Sequence, residues 1–318
     1  MIIDVHGHVT APELLAKYPM PPSLGDIGGM IERKLAAGVG LTVVGSPVGF
    51  GTMTRIPGLD NYAQPAAKLA AFHDWLGETV RAHAGHLLAY AYVNPFGTEA
   101  ELAAAAELVR RDEFVGFIVN TSVRGKFLDD PGADGFFELA AEAGVPVMLH
   151  PPAEPVGSGA LAHFGLVEQL GRFTDVHLSL ATLITSGRLE RDPGLRIIAA
   201  TGGGALALLA GRLDLANAPR HWKTAGTPAL PREPSSYFSQ IWVDTASCSP
   251  HALRANVSVF GPGNVLFGTD TPPLPHEVGD LVRAVTDLNL STEDTNAILA
   301  GNAVRLLGLS ERQTRAAA

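Results

Sequence analysis

The chain has 318 residues, of which 46% are hydrophobic and 17% are charged. This composition supplies a large core and differs from that of a disordered chain. The net charge is −9, from 23 basic and 32 acidic residues, and there is no basic run. Nucleic-acid binding normally leaves a basic footprint, so we expect a small-molecule ligand and no nucleic-acid partner.

Cysteine content and hydropathy bear on location. Cys248 is the one cysteine, which rules out an intrachain disulfide and is typical of a reducing cytoplasm. The opening MIIDVHGH has neither a basic start nor a long apolar run, unlike a signal peptide. No stretch approaches the roughly 18–20 apolar residues of a membrane helix. The sequence therefore predicts a soluble, cytoplasmic protein with no membrane partner.

Eight short apolar runs, rich in Val, Ile and Leu, alternate with longer stretches of helical periodicity. The predicted strands are Ile2–Val5, Leu41–Gly45, Leu87–Val93, Val115–Val119, Pro146–Leu149, Arg196–Ala200, Ile241–Asp244 and Val265–Phe267. The predicted helices include Glu99–Arg111, Asp134–Ala143, Leu161–Arg172 and a helical pair over Ser291–Leu307. Strands buried on both faces and joined by helices are typical of parallel sheets. We therefore predict an α/β protein with a single (β/α)8 TIM barrel that occupies residues 1–318 as one domain.

Two stretches interrupt this alternation. Residues 46–64 follow the second predicted strand and are rich in Gly and Pro, and residues 217–236 precede the seventh strand and contain four prolines. Long loops in a barrel often carry binding function.

Four residues at predicted strand ends suggest a metal site. His6 and His8 end the first strand two residues apart, so their imidazoles point the same way. His150 ends the fifth strand in PVMLHPP, and Asp270 follows the eighth in VLFGTDTPP. Catalytic groups of barrel enzymes come from these carboxyl ends, and imidazole is a common metal ligand. The alternatives are polar residues at a strand end for His6 and His8, a buried core histidine for His150 and a helix N-cap for Asp270.

Longer motifs resemble a known family. The chain is similar to the amidohydrolase superfamily, in the branch of aminocarboxymuconate-semialdehyde decarboxylase and related aromatic-acid decarboxylases. The resemblance rests on MIIDVHGH, GVPVMLHPP, LITSGRLERDPGLRII, GGGALALLAGRLD and NVLFGTDTP, and covers essentially the whole chain. It implies one divalent metal ion, usually zinc with manganese as the alternative, bound by His6, His8, His150 and Asp270. It also implies a homodimer or a larger homo-oligomer.

One position departs from the family pattern. Where the family has His-Gly-Gly-Gly after the sixth strand, with the histidine as acid or base, this chain has Thr201 followed by Gly202–Gly204. A threonine hydroxyl can form hydrogen bonds but does not accept a proton near neutral pH. Either the reaction needs no activated water and Asp270 delivers a proton to carbon, or Asp270 alone activates water, or another histidine has taken the role. His177 and His163 are the candidates for that third case.

Two arginines are candidates for a substrate carboxylate. Arg212, in AGRLD, matches a family arginine that reaches the site of the neighbouring subunit, and Arg55 lies in the loop after the second strand. A guanidinium suits a carboxylate because it can bind with two parallel hydrogen bonds. We expect a carboxy-lyase for a small aromatic or unsaturated carboxylic acid. The alternatives are a metal-dependent hydrolase or hydratase of a small carboxylated metabolite, or a catalytically retired metabolite-binding barrel.

Overall fold

The computed structural model describes residues 1–18, 20–45, 65–217, 229–247 and 249–315. The first predicted long loop, residues 46–64, lies outside the described residues. So do residues 218–228 of the second.

Eight parallel strands form the barrel in chain order. They are β1 (Ile2–His8), β2 (Val39–Gly45), β3 (Leu87–Tyr92), β4 (Phe114–Asn120), β5 (Val147–His150), β6 (Ile197–Ala199), β7 (Ile241–Asp244) and β8 (Val265–Leu266). Each strand pairs with the next. The barrel closes where the Val5 amide donates to the Phe267 carbonyl at 2.9 Å. The predicted (β/α)8 fold and all eight predicted strands are confirmed.

Helices surround the strands. Their bounds are α1 (Pro12–Lys17), α2 (Ile27–Ala36), α3 (Ala66–Ala82), α4 (Glu99–Leu108), α5 (Asp134–Ala143), α6 (Arg172–Thr185), α7 (Arg188–Arg191), α8 (Leu206–Leu213), α9 (Pro250–Phe260), α10 (Val278–Thr286), α11 (Thr292–Asn296), α12 (Asn302–Leu307) and α13 (Glu311–Arg315). Within the described ranges, no helix is both long and apolar enough to cross a membrane.

The predicted helix over Leu161–Arg172 is wrong in its first half, whereas its second half is helical and continues into α6. The chain instead forms a short 3₁₀ turn at Ser158–Leu161 and a π turn at Val167–Gly171 before α6 begins. Phe164 has φ 59° and Gly165 has φ 69°. Two consecutive residues in the left-handed region cannot continue a right-handed helix, and the apolar periodicity of the segment did not reveal this break.

The strand order positions the functional groups. All eight strands run the same way, so their carboxyl ends meet at one mouth of the barrel. A short antiparallel hairpin, Ser122–Val123 with Lys126–Phe127, follows β4 on this side. Buried Asp175 of α6 anchors its start, because the carboxylate accepts from the hydroxyls of Thr121 and Ser122 and, at 2.7 Å, from the Val156 amide. The hairpin was not predicted, since two-residue strands leave almost no periodic signal.

Candidate metal centre

Four side chains from three strand ends form one cluster at the mouth. His6 and His8 belong to β1, His150 ends β5 and Asp270 follows β8. One nitrogen or carboxylate oxygen of each lies within 4.8 Å of those of the others. The imidazole centroids are 5.0–5.2 Å apart, and each pair of rings is within 6° of perpendicular, at 84–88°. Three rings at right angles direct their edges toward one shared volume.

Asp270 completes the cluster through an unusual backbone conformation. Its φ is 53°, a left-handed value that aspartate tolerates better than most residues. Its amide donates to the His6 carbonyl at 2.7 Å. The resulting bend places the carboxylate 2.8 Å from His8 Nε2 and 3.4 Å from His6 Nε2. The Asp270 side chain is 17% exposed, whereas His6 and His8 are at most 2% exposed, so Asp270 faces the entrance.

The cluster leaves several buried nitrogens without hydrogen bonds. His6 Nε2, His8 Nδ1 and His150 Nε2 are buried and have no partner among the described residues. His150 Nδ1 lies 3.0 Å from the Pro151 carbonyl, which assigns its proton to Nδ1 and leaves a lone pair on Nε2. Buried polar atoms normally have partners. Three imidazoles and a carboxylate fit a divalent cation, and Nε2 of both His6 and His150 has no hydrogen bond that would compete with it.

Asp244, at the end of β7, orients His6 from behind. Its Oδ2 lies 2.6 Å from His6 Nδ1. The same carboxylate accepts the amides of Gly202 at 2.7 Å, Ala246 at 3.1 Å and Thr201 at 3.2 Å. A carboxylate behind a ligating histidine fixes its tautomer and ring orientation. Sequence reasoning missed Asp244, although it ends the apolar run IWVD just as His150 ends PVMLH.

A second buried carboxylate fixes the backbone of the cluster. Asp4 accepts the His6 amide at 2.9 Å and the Thr269 amide at 3.0 Å. It also accepts the Thr269 hydroxyl at 2.7 Å and forms a buried ion pair with Lys34 of α2. Asp4 therefore ties the end of β1 to the segment after β8, which carries Asp270. Neither Asp4 nor Lys34 was predicted as part of the site.

The electrostatic environment separates the three histidines. Burial alone would lower the pKa of His6, but the carboxylates of Asp270, Asp244 and Asp4 outweigh it and raise that pKa. Burial lowers the pKa of His8, and lowers that of His150 well below its usual value. Burial opposes ionisation of Asp270, yet the neighbouring histidines outweigh it and hold the Asp270 pKa far below its usual range. The cluster thus favours an ionised carboxylate and neutral imidazoles at His8 and His150.

Thr201 begins the glycine turn beside this cluster. Its φ is 52°, and φ is also positive at Gly202, Gly203 and Gly204. A Cβ on Gly204 would lie 2.4 Å from the Phe173 carbonyl, so a residue with a side chain would not fit at this position. The Thr201 hydroxyl is buried and has no hydrogen-bond partner in the described part of the chain. It is therefore available to a bound molecule.

The structure places the other predicted residues outside the four-residue cluster. His177 lies on α6 under the glycine turn, where its Nδ1 is 3.1 Å from the Phe173 carbonyl and 3.4 Å from the Ala205 amide. Arg212 is exposed on α8, and Arg55 lies outside the described residues. The cation Arg172, at the start of α6, lowers the pKa of both His8 and His150. Sequence reasoning did not single out Arg172.

The chain belongs to the amidohydrolase family. The model of that family matches residues 3–309, which confirms the resemblance drawn from the sequence motifs. Fold and strand-end histidines agree with this assignment.

The similar proteins described below are all decarboxylases. The chain is 30% identical to 2-amino-3-carboxymuconate-6-semialdehyde decarboxylase of Dictyostelium discoideum over 215 residues, which are 67% of this chain and 58% of that protein. The match thus spans little more than half the length of that relative. Among solved structures, 5-carboxyvanillate decarboxylase LigW of Sphingomonas paucimobilis is 21% identical, with a TM-score of 0.83 over 97% of this chain and 99% of its own. Dihydroxybenzoic acid decarboxylase of Polaromonas sp. JS666, solved with manganese and the inhibitor 2-nitroresorcinol, is 21% identical, with a TM-score of 0.81 over 98% of both chains.

Proposed function

We propose that this protein is a metal-dependent decarboxylase of a small aromatic or unsaturated carboxylic acid that bears a hydroxyl next to the carboxylate. The observation that carries the proposal is the cluster of His6, His8, His150 and Asp270, with its buried, unpartnered ligand atoms. The decarboxylase names of the relatives support the reaction class.

The proposed ligands are His6, His8, His150 and Asp270. Imidazole suits zinc, and a carboxylate with room for oxygen ligands suits manganese, so we propose zinc or manganese as the ion. When bound, such an ion polarises a substrate oxygen as a Lewis acid. Asp244 and Asp4 hold His6 in place before any ligand arrives, because both are satisfied by protein donors.

Asp270 is the proposed proton carrier. It is the most exposed member of the cluster and faces the entrance, where it can exchange a proton with a bound substrate. In the proposed reaction, the proton of the substrate hydroxyl passes to Asp270 and then to the ring carbon that bears the carboxylate. A ring electron pair forms the new carbon–hydrogen bond. The electron pair of the broken carbon–carboxyl bond then restores the ring as carbon dioxide leaves, and solvent reprotonates the phenolate.

Thr201 is proposed to donate its hydroxyl hydrogen to a substrate oxygen. This role needs no proton transfer, unlike activation of water, for which a threonine is unsuited. His177 is then a positioning residue, because its ring contacts the backbone at Phe173 and Ala205 that shapes the glycine turn.

Arginines supply the proposed carboxylate contacts. Arg172 is mostly buried, pairs with Glu168 at 2.8 Å and acts on the cluster histidines through its charge.

Arg212 shares α8 with Leu208 and Leu209, which are 76% and 38% exposed. An exposed apolar helix face is typical of a protein contact. We therefore propose a homodimer in which α8 lies at the interface and Arg212 serves the partner's site, with Arg55 as a further candidate from the loop after β2.

The remaining proposals concern the whole chain. Residues 1–318 are proposed to fold as one domain, because strands from both ends of the sequence close the same barrel. A cytoplasmic location is proposed from the single cysteine.

Release of carbon dioxide tests the proposal. Purified protein, stripped of metal and reloaded with zinc or manganese, is incubated with 2,6-dihydroxybenzoate, salicylate and a β-keto acid. We expect metal-dependent release of carbon dioxide from a hydroxyaryl acid. Absence of release from every acid with either metal would overturn the proposal. Incorporation of labelled oxygen from H₂¹⁸O into a product would instead establish the hydrolase or hydratase.

A further inference from the structure

Asn120 is a buried amide at the mouth of the barrel. It ends β4 in the apolar run FVGFIVN, and its Cα pairs in register with that of His150 on β5. Paired residues of neighbouring parallel strands direct their side chains to the same side of the sheet. Since the His150 ring joins the cluster, the Asn120 side chain points to the same interior.

A second contact gives the same orientation. Ile118 lies two residues earlier on β4, and its Cδ1 is 3.3 Å from the position that a Cβ on Gly45 would occupy. Gly45 ends β2 and pairs in register with His8, so Ile118 points inward across the barrel. Residues i and i+2 of a strand share a face, and therefore Asn120 lies above Ile118 on the inner face.

The polar atoms of Asn120 are unused. The residue is 1% exposed, yet neither Oδ1 nor Nδ2 has a hydrogen-bond partner among the described residues. Asn302 is equally buried, but its Nδ2 donates to the carbonyls of Pro262 at 2.8 Å and Val265 at 2.7 Å. Its Oδ1 also accepts from Arg305. A buried amide without partners is costly to keep, so Asn302 fits a structural role, whereas Asn120 fits a role toward a ligand.

We infer that Asn120 is a specificity-determining residue that reads a second oxygen substituent on the substrate ring. The inference rests on the proposed function, in which the carboxylate and its neighbouring hydroxyl face the four-residue cluster. A substrate without any further substituent would leave both ends of the Asn120 amide unpaired against a ring edge. A second hydroxyl can donate to Oδ1 or accept from Nδ2. A site built to bond such a hydroxyl discriminates strongly against the analogue that lacks it.

Equilibrium binding of two inert probes tests the inference. 2-Nitroresorcinol and 2-nitrophenol differ by one hydroxyl, and both can be titrated by calorimetry into metal-loaded wild-type protein and Asn120→Leu. We expect wild type to prefer 2-nitroresorcinol by about tenfold, since one hydrogen bond to a buried group has about that effect. Asn120→Leu should bind the two probes with nearly equal affinity, because it has no polar atom to pair with the second hydroxyl. The isosteric Asn120→Asp keeps the acceptor and removes the donor, so it should retain the preference if the hydroxyl donates to Oδ1 and lose it if the hydroxyl accepts from Nδ2.

The unfolding temperature of metal-free protein separates a ligand role from a structural one. Asn120→Leu should unfold at the same or a higher temperature than wild type, because it removes an unpartnered buried amide. The matched control Asn302→Leu should unfold at a lower temperature, because it breaks satisfied bonds. A wild-type preference that persists in both Asn120 variants would overturn the inference, as would a lower unfolding temperature of Asn120→Leu with unchanged probe affinities. Failure of wild type to release carbon dioxide would refute the proposed function, whereas an active wild type with unaltered Asn120 variants would refute this inference alone.

Discussion

Two adjoining layers of the barrel treat their polar groups in opposite ways. In the supporting layer, Asp4 and Asp244 each accept four hydrogen bonds or ion-pair contacts from protein donors. In the mouth layer above it, the cluster histidines, Thr201 and Asn120 all retain polar atoms that lack partners among the described residues. The two layers therefore have different roles. The lower layer fixes geometry through satisfied bonds, so the upper layer can present unsatisfied groups to a ligand.

The largest expected effect comes from the mouth layer itself. Asp270→Asn keeps the size of the side chain but removes the charge that faces His6 and His8. We expect kcat/KM for carbon dioxide release to fall by about 10³-fold, because the several kcal/mol that a bound cation supplies are lost with it. The control is Asp280→Asn on the exposed face of α10, which should retain full activity. Retention of more than a tenth of the activity by Asp270→Asn would remove Asp270 from the ligand set.

His73 tests what burial does to a histidine outside both layers. Burial, with a contribution from Arg111, lowers the pKa of His73 from 6.5 to about 4. In the unfolded chain His73 therefore binds a proton below pH 6.5, whereas in the folded chain it binds one only near pH 4. This contribution to stability is complete above pH 6.5 and is lost as the pH falls toward 4, in total about 3 kcal/mol.

Unfolding free energies of metal-free protein at pH 7 and pH 4.5 measure this effect. The loss between the two pH values should be smaller in His73→Gln than in wild type by about 2–3 kcal/mol. His251→Gln, at an exposed position, should behave as wild type does. Equal pH sensitivity of His73→Gln and wild type would mean that burial does not control His73. The contrast with His6, whose pKa carboxylates raise despite full burial, would then lose its basis.

Asp244→Asn tests the supporting layer. The substitution keeps the shape but weakens the contact to His6 Nδ1, and it puts an NH2 group on a side chain that accepts three backbone amides. We expect metal affinity to fall by about 10–100-fold, the usual effect of losing a carboxylate behind a ligating histidine. Metal titration measures it. Asp175→Asn, which alters a buried carboxylate at the rim, should leave metal affinity unchanged; equal losses in both variants would indicate general destabilisation.

The smallest expected effect compares two threonines. Thr201→Val should lower kcat/KM by about 3–10-fold, the contribution of one neutral hydrogen bond, and leave the free energy of unfolding unchanged. Thr269→Val should lower the free energy of unfolding, because its hydroxyl bonds Asp4 at 2.7 Å and Thr271 at 2.8 Å. Chemical denaturation and steady-state kinetics report the two quantities. Destabilisation by Thr201→Val would place its hydroxyl in the supporting layer.

The sequence predicted more of the mouth layer than of the layer below. The carboxyl ends of parallel strands meet at one mouth of the barrel, so polar residues at those ends are candidates for the site. This rule finds His6, His8, His150 and Asp270. Asp244 and Asn120 obey the same rule and could have been found by applying it to every strand. Lys34 could not, because it reaches Asp4 from a helix whose rotation depends on tertiary packing. The left-handed residues Phe164 and Asp270 leave no periodic signal either.

Metal content is the most direct test of the central claim. Untagged wild type, His150→Gln and His73→Gln are purified without chelator and analysed by inductively coupled plasma mass spectrometry. Both variants replace a buried histidine, and His150 lies inside the cluster whereas His73 lies outside it. We expect close to one zinc or manganese ion per chain in wild type and His73→Gln, and far less in His150→Gln. Metal-free wild type that stays folded and takes up neither ion, or equal metal in all three proteins, would contradict a catalytic metal centre at the barrel mouth.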